Sequence, residues 1–213
     1  MTKRATKLQL FLKDNSLSIV MFSLFAVFLI GLSITGLFQN NNERIIHGWE
    51  PQSYSKYITS GSFVEAVFEN WESEFLQMGT LVVATIFLRQ KGAADSKKIR
   101  GWNSVDKSSQ HSKKGFIYTN SLSLALGTLF IISFALHAFG GHAQVNEEAK
   151  MHGEQITSLW SYVSSYQFWF ESFQNWQSEF LAVGTLLVLS VFLRQQGSPE
   201  SKPVNESDDA TGK

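Results

Sequence analysis

The chain has 213 residues, zero formal net charge, 44% apolar residues and no cysteine. Neutrality supplies no basic surface for nucleic acid, and the lack of thiols excludes disulfides, thiolate nucleophiles, Cys-ligated zinc and iron–sulfur clusters. The average composition hides a segregation into charge-free and strongly polar blocks, with 18 Phe and 6 Trp in the chain.

Residues 1–14 carry Lys3, Arg4, Lys7 and Lys13, and no charge follows between Asp14 and Glu43. The stretch Leu17 to Phe38 holds only apolar residues, Gly, Ser and Thr. Those 22 residues make about 33 Å of helix, enough to cross a ~30 Å hydrocarbon core. The spacing predicts a membrane helix over 16–38. A signal peptide is the rival reading, but the run exceeds a ~7–15-residue apolar region, no Ala-x-Ala site follows, and a relative of the segment recurs mid-chain.

A second helix is predicted over 63–90, where Phe63, Val64, Val67, Phe68, Trp71 and Phe75 fall at helical spacing. Only 14 uncharged residues lie between Glu74 and Arg89, too few to span alone. The expected form is therefore one long helix that starts in the headgroup layer and enters the bilayer further on, with Trp71 in the aromatic belt. Residues 93–119 are rich in Lys, Ser and Gly and are expected to be a mobile cytoplasmic linker, whose Lys97-Lys98-Ile99-Arg100 cluster suits a topology determinant or anionic lipid. A third helix is predicted over 120–142 and a fourth, with Trp176 in the belt, over 168–195. The Pro/Ser/Asp/Glu-rich segment 198–213 is expected to be disordered.

Shifting the chain by 105 residues lays 15–92 on 120–197 without a gap and with 32 identities in 78 positions. The densest match sets Asn70-Trp71-Glu72-Ser73-Glu74-Phe75-Leu76 on Asn175-Trp176-Gln177-Ser178-Glu179-Phe180-Leu181. Phe87-Leu88-Arg89-Gln90 likewise meets Phe192-Leu193-Arg194-Gln195. This is the pattern of an internal duplication. Two spans per copy imply a parallel repeat, related by an axis along the membrane normal, with equivalent residues facing one another across it. The expected fold class is all-α: an integral membrane four-helix bundle made of two tandem parallel two-helix repeats. Of 18 Lys and Arg, 15 lie in 1–14, 89–119 and 194–213, which places both termini in the cytoplasm.

On a helical wheel Asn70, Ser73, Glu74, Gln77 and Thr80 share one arc, and Asn175, Ser178, Glu179 and Thr185 repeat it. Such a stripe serves either as interhelical glue or as an outward vestibule where Glu74 and Glu179 face each other as a proton or cation site. Arg89 and Arg194, with Gly92 and Gly197 beyond them, are expected to anchor and cap the ends of the second and fourth helices. His47 and His152 are equivalent loop residues, so a set of His47, His152, Glu74 and Glu179 is a further metal alternative; the primary expectation is no metal and no cofactor. His137 and His142, five apart, have no counterpart in the first helix, and each is expected to make a local hydrogen bond. Phosphate loops, dinucleotide fingerprints, nucleophile elbows and His-Glu-x-x-His are absent from the sequence.

At the Asn-Trp-x-Ser-Glu-Phe-Leu and Phe-Leu-Arg-Gln-x-Gly blocks the chain resembles a family of small bacterial membrane proteins known only as a domain of unknown function. The resemblance covers roughly residues 11–197 and implies a bacterial inner-membrane setting, with no activity or ligand attached. The expected function is a non-enzymatic structural or partner-binding membrane component. Its partners would be the lipid bilayer and a second copy or another membrane protein, not nucleic acid. A small channel or transporter using the paired glutamates is the alternative.

Overall fold

The computed structural model describes residues 6–101, 103, 106 and 114–212, which form helices and turns with no strand among them. Helix α1 (Lys7–Asp14) starts at a capping box, in which the Thr6 hydroxyl accepts from the Gln9 N–H and the Gln9 side chain accepts from the Thr6 N–H. It breaks at Asn15 and continues as α2 (Ser16–Ile46). Asn15 supplies the break by donating its side-chain amide to the Phe11 carbonyl at 2.9 Å. The same device recurs 105 residues later: Asn120 donates to the Phe116 carbonyl at 2.9 Å between α5 (Phe116–Thr119) and α6 (Ser121–His152).

Both first helices outrun their apolar stretches, α2 ending eight residues and α6 ten residues beyond the predicted 38 and 142. Polar contacts hold these extensions. Asn41 accepts from the Gln52 N–H at 2.7 Å, as Asn146 does from the Thr157 N–H at 2.7 Å. Arg44 is buried against Glu147 and donates to the Glu50 carbonyl at 2.9 Å. The chain then turns through a short helix, α3 (Tyr54–Tyr57) or α7 (Leu159–Val163), into α4 (Gly61–Phe87) or α8 (Tyr166–Phe192). Ser60 and Ser165 cap these helices, each accepting from the N–H three residues on at 3.3 Å.

Helices α4 and α8 stop at Leu88 and Leu193, both extended, so the expected caps are corrected. Arg89, Arg194, Gly92 and Gly197 lie beyond the helices, in turns where the Gln90 and Gln195 N–H groups each donate to a serine hydroxyl, Ser96 or Ser201, at 2.8 Å. That side-chain acceptor takes the chain out of the helix before any glycine is reached. The two arginines still reach back to the last carbonyls: Arg89 to Phe87 at 3.2 Å and Arg194 to Val191 at 3.0 Å.

Packing is less symmetric than the repeat suggested. The main contact runs between α4 and α6, unlike members of the two copies, while α4 and α8 touch over a shorter stretch. Glycine decides where the backbones close up. A Cβ on Gly140 would sit 2.6 Å from the Glu65 nitrogen, and one on Gly61 would sit 2.6 Å from the Gln144 nitrogen. Their equivalents are Thr35 and Tyr166, so no second crossing of this kind can form. Helix α2 packs more loosely: besides Arg44 on Glu147 it is held by Ser33 to the Tyr54 hydroxyl at 2.9 Å, by Asn40 donating to Ser62 at 3.3 Å and by Phe25 against Trp71. Only Ser33 and Arg44 of α2 are buried, and its Phe22 and Phe28 are 73% and 71% exposed. Helices α2 and α6 are each long and apolar enough to cross a membrane.

The expected disordered tail is also corrected. Residues 198–212 fold back on the start of the linker, where the Thr211 hydroxyl accepts from the Gly92 N–H at 2.8 Å and the Ala93 carbonyl accepts from Gly212 at 3.1 Å. Lys202 is buried and donates to the Ser207 and Asp208 carbonyls. Lys91 pairs with Asp209 at 2.5 Å and holds that carboxyl below its ordinary range. Satisfying a buried ammonium through its own segment's carbonyls is what lets so polar a sequence order. Where described, the linker has Ala93 and Ala94 buried and Lys97 paired to Asp106 at 2.7 Å; the expectation of mobility at 102, 104, 105 and 107–113 lies outside the described residues. Thr211→Val combined with Lys202→Ala should release the tail and speed limited proteolysis between 198 and 212. Unchanged digestion would contradict the latch.

Candidate functional site

Helix α4 turns a buried polar face toward α6 and α8 that is rotated from the predicted stripe. Ser73 and Gln77 are buried with Glu65 and Glu72, whereas Asn70, Glu74 and Thr80 are exposed. Asn70 donates back to the Ala66 carbonyl at 2.9 Å, and Ser73 and Ser178 donate to carbonyls of their own helices. Glu74 is exposed and Glu179 half-buried. Among the described residues neither belongs to a group of three or more potential metal ligands.

The centre of the fold is His137, fully buried on α6 and stacked on Phe168, with ring centroids 4.9 Å apart. Its Nδ1 lies 3.0 Å from Glu72 Oε2, and the other oxygen of Glu72 accepts the Trp176 indole N–H at 3.1 Å. Glu72 is itself fully buried, so α4, α6 and α8 are tied through one carboxylate. On the far side of the ring, Nε2 is buried without a hydrogen-bond partner and lies 3.7 Å from Glu171 Oε2. The Tyr162 hydroxyl donates to Glu171 at 3.0 Å and to Glu65 at 3.4 Å. Burial, reinforced by those two carboxylates, holds the Tyr162 phenol above its ordinary pKa, so it remains a donor. Glu65, His137 and Glu171 each offer a ligand atom within 4.8 Å of the others, and no other such group occurs among the described residues. Nearby, Asn175 donates to Glu69.

Small residues let this cluster close. A Cβ on Gly141 would strike the Tyr162 hydroxyl and stand 2.7 Å from Glu65 Oε1. Gly141→Ala should therefore push the phenol off both carboxylates and lower stability by about 1–3 kcal/mol, measured as a shift in detergent unfolding; an unshifted transition would refute the tight fit.

Glu65 also lines a cavity of about 310 Å³ between α2, α4 and α6, together with Glu43, Glu69, Glu148, Asn40 and Ser62. Neither Glu74 nor Glu179 lines this acidic cavity. His47 and His152, expected in loops, stand at the ends of α2 and α6 with rings 4.6 Å apart, but among the described residues Glu74 and Glu179 do not join them in a three-ligand group. Trp176 donates its indole N–H to Glu72, and Trp71 packs on Phe25 and Phe68. His142 makes the expected local bonds, to the Thr157 carbonyl at 2.8 Å and to Asn146. His137 does not; its partner lies 65 residues away.

Sequence reasoning missed the cluster because it favoured positions that the two copies share. The cluster uses positions where they differ: Glu65, Glu72, His137 and Glu171 stand opposite Phe170, Gln177, Leu32 and Ala66. The available signal was an ionisable residue, His137, inside a charge-free block, with acids at 65, 69 and 72 on one helix face.

Comparison with curated proteins and with solved structures found no match. A family model matches residues 8–213, nearly the whole sequence and including the ordered tail. The chain belongs to the family described as Domain of unknown function (DUF6766).

Proposed function

We propose that this is a non-enzymatic, four-span protein of a bacterial inner membrane, with both termini cytoplasmic, that takes protons or small cations from the outer side into the buried carboxylate–imidazole cluster. The two tandem parallel copies supply the scaffold, and their differences supply the site. Support for the membrane setting comes from the exposed apolar surface of α2, which only lipid or another apolar partner would cover without cost. Helices α4 and α8 carry the remaining two spans, beginning in the interface. Lipid and a second copy are the partners this surface suits.

The observation that carries the functional reading is charge imbalance. The charged neighbours of Glu65 are Glu171, Glu69, Glu148 and the imidazole of His137. With Glu72 added, one histidine faces several carboxylates, and burying an ion costs several kcal/mol unless it is paired. A group used purely as glue would be balanced; this one requires protons or cations to balance it. Glu65 stands on the cavity wall and in the cluster at once, which makes it the entry residue.

Proteoliposomes holding the wild-type chain should take up protons or cations faster than empty ones. Glu65→Gln should abolish the excess, while Glu74→Gln with Glu179→Gln should leave most of it. Uptake no faster than in empty liposomes would contradict the reading. It would favour the rival, a structural or partner-binding component, which draws on the bonds that tie α4, α6 and α8 through Glu72.

A further inference from the structure

The hydrogen bonds around His137 fix which face of the ring is free. Glu72 Oε2, 3.0 Å away and itself held by the Trp176 indole, accepts from Nδ1. A neutral imidazole donating from Nδ1 presents a lone pair at Nε2. In that neutral form the buried Nε2, which makes no hydrogen bond, stands 3.7 Å from Glu171 Oε2, with Glu65 completing the group. Three acceptors within 4.8 Å of one another repel unless a positive charge stands between them.

We propose that Glu65, His137 and Glu171 are the ligands of one divalent transition-metal ion. This inference rests on the reading of the cluster as a cation site and names the cation. Mixed carboxylate and imidazole donors suit such an ion. Donor atoms about 2.1 Å from a tetrahedral ion lie about 3.4 Å apart, so the Nε2–Glu171 separation of 3.7 Å would shrink by a few tenths of an ångström and the three donors, now within 4.8 Å of one another, would draw together around the ion. The outer arrangement fits as well. A carboxylate that accepts from the second nitrogen of a ligand histidine fixes its tautomer and raises its basicity, and Glu72 stands in that place. Tyr162, bridging Glu171 and Glu65, sets the spacing of the two carboxylates and leaves the fourth position to water from the cavity. The acidic cavity concentrates dications at the entrance.

The test uses the full chain in detergent, stripped with chelator and titrated calorimetrically with Zn²⁺, and in parallel with Co²⁺ read by its visible absorption. One equivalent per chain is expected, with the intense cobalt spectrum of a low-coordinate site. Glu171→Gln and His137→Leu should each weaken binding by more than about 100-fold, and Glu72→Gln by about 10–100-fold. Glu74→Gln with Glu179→Gln should bind as wild type. Glu65→Gln keeps the size of the side chain, and its unfolding transition without metal reports whether it folds. If it folds and still binds normally, the proposal is overturned. It is also overturned if the wild type binds no stoichiometric ion yet passes protons in metal-free liposomes, an outcome that leaves the broader cation reading standing. A metal-loaded wild type with no flux supports the site while overturning transport.

Discussion

His137→Leu is expected to lower unfolding stability in detergent by about 3–5 kcal/mol, because it leaves the Glu72 carboxylate buried without its partner. The repeat-equivalent positions carry neither charged group. Leu32 stands where the second copy has His137, and Gln177 stands where the first copy has Glu72. Adding Glu72→Gln to His137→Leu removes the stranded charge and keeps an acceptor for the Trp176 indole. Most of the stability should return in the double variant, as a coupling visible in a double-mutant cycle. Additive losses, or a single variant as stable as wild type, would show that Glu72 and His137 are not energetically paired.

The second large effect concerns backbone approach. Gly140→Ala should cost about 1–3 kcal/mol despite the better helix propensity of alanine, since the added carbon meets main chain and not a flexible tip. Helix α4 would have to retreat from α6 near Glu65, so cation uptake should fall together with stability. Gly127→Ala is the control, as a Cβ there meets nothing within 4 Å. Equal effects from both substitutions would mean that helix packing at the Gly61–Gly140 crossing does not set the cluster.

Much of the scaffold was legible in the sequence, and the reasons are physical. Charge-free runs marked α2 and α6, while the aromatic spacing of Phe63, Phe68 and Trp71 marked α4. The repeated motif set both second helices to within three residues of their observed ends. The extensions to Ile46 and His152 were not legible because they depend on bonds across the turn, such as Asn41 to Gln52. The tail was misread for a similar reason: composition argues against a packed core, but Lys202 orders its segment through backbone carbonyls. The site itself was half legible. The segment around Asn70-Trp71-Glu72-Ser73-Glu74 holds one member of the cluster, but a wheel anchored on repeated positions turned Glu74 inward in place of Glu72. Duplication preserves what holds the scaffold, so residues that serve only one copy vanish from a comparison of the two. Ser73 and Ser178 illustrate it: both are repeated, and both bond only to their own helix.

The most direct test of the account is access to the cavity beside Glu65. The chain has no cysteine, so Ser62→Cys places a single thiol on the cavity wall, and Ser108→Cys places one in the linker. A membrane-impermeant thiol reagent added to right-side-out vesicles should label position 62 at once and position 108 only after permeabilisation. Labelling at 62 should also block cation uptake. A thiol at 62 that reacts only after permeabilisation, or one that reacts from outside while uptake continues unchanged, would contradict an outward cavity leading to Glu65, His137 and Glu171.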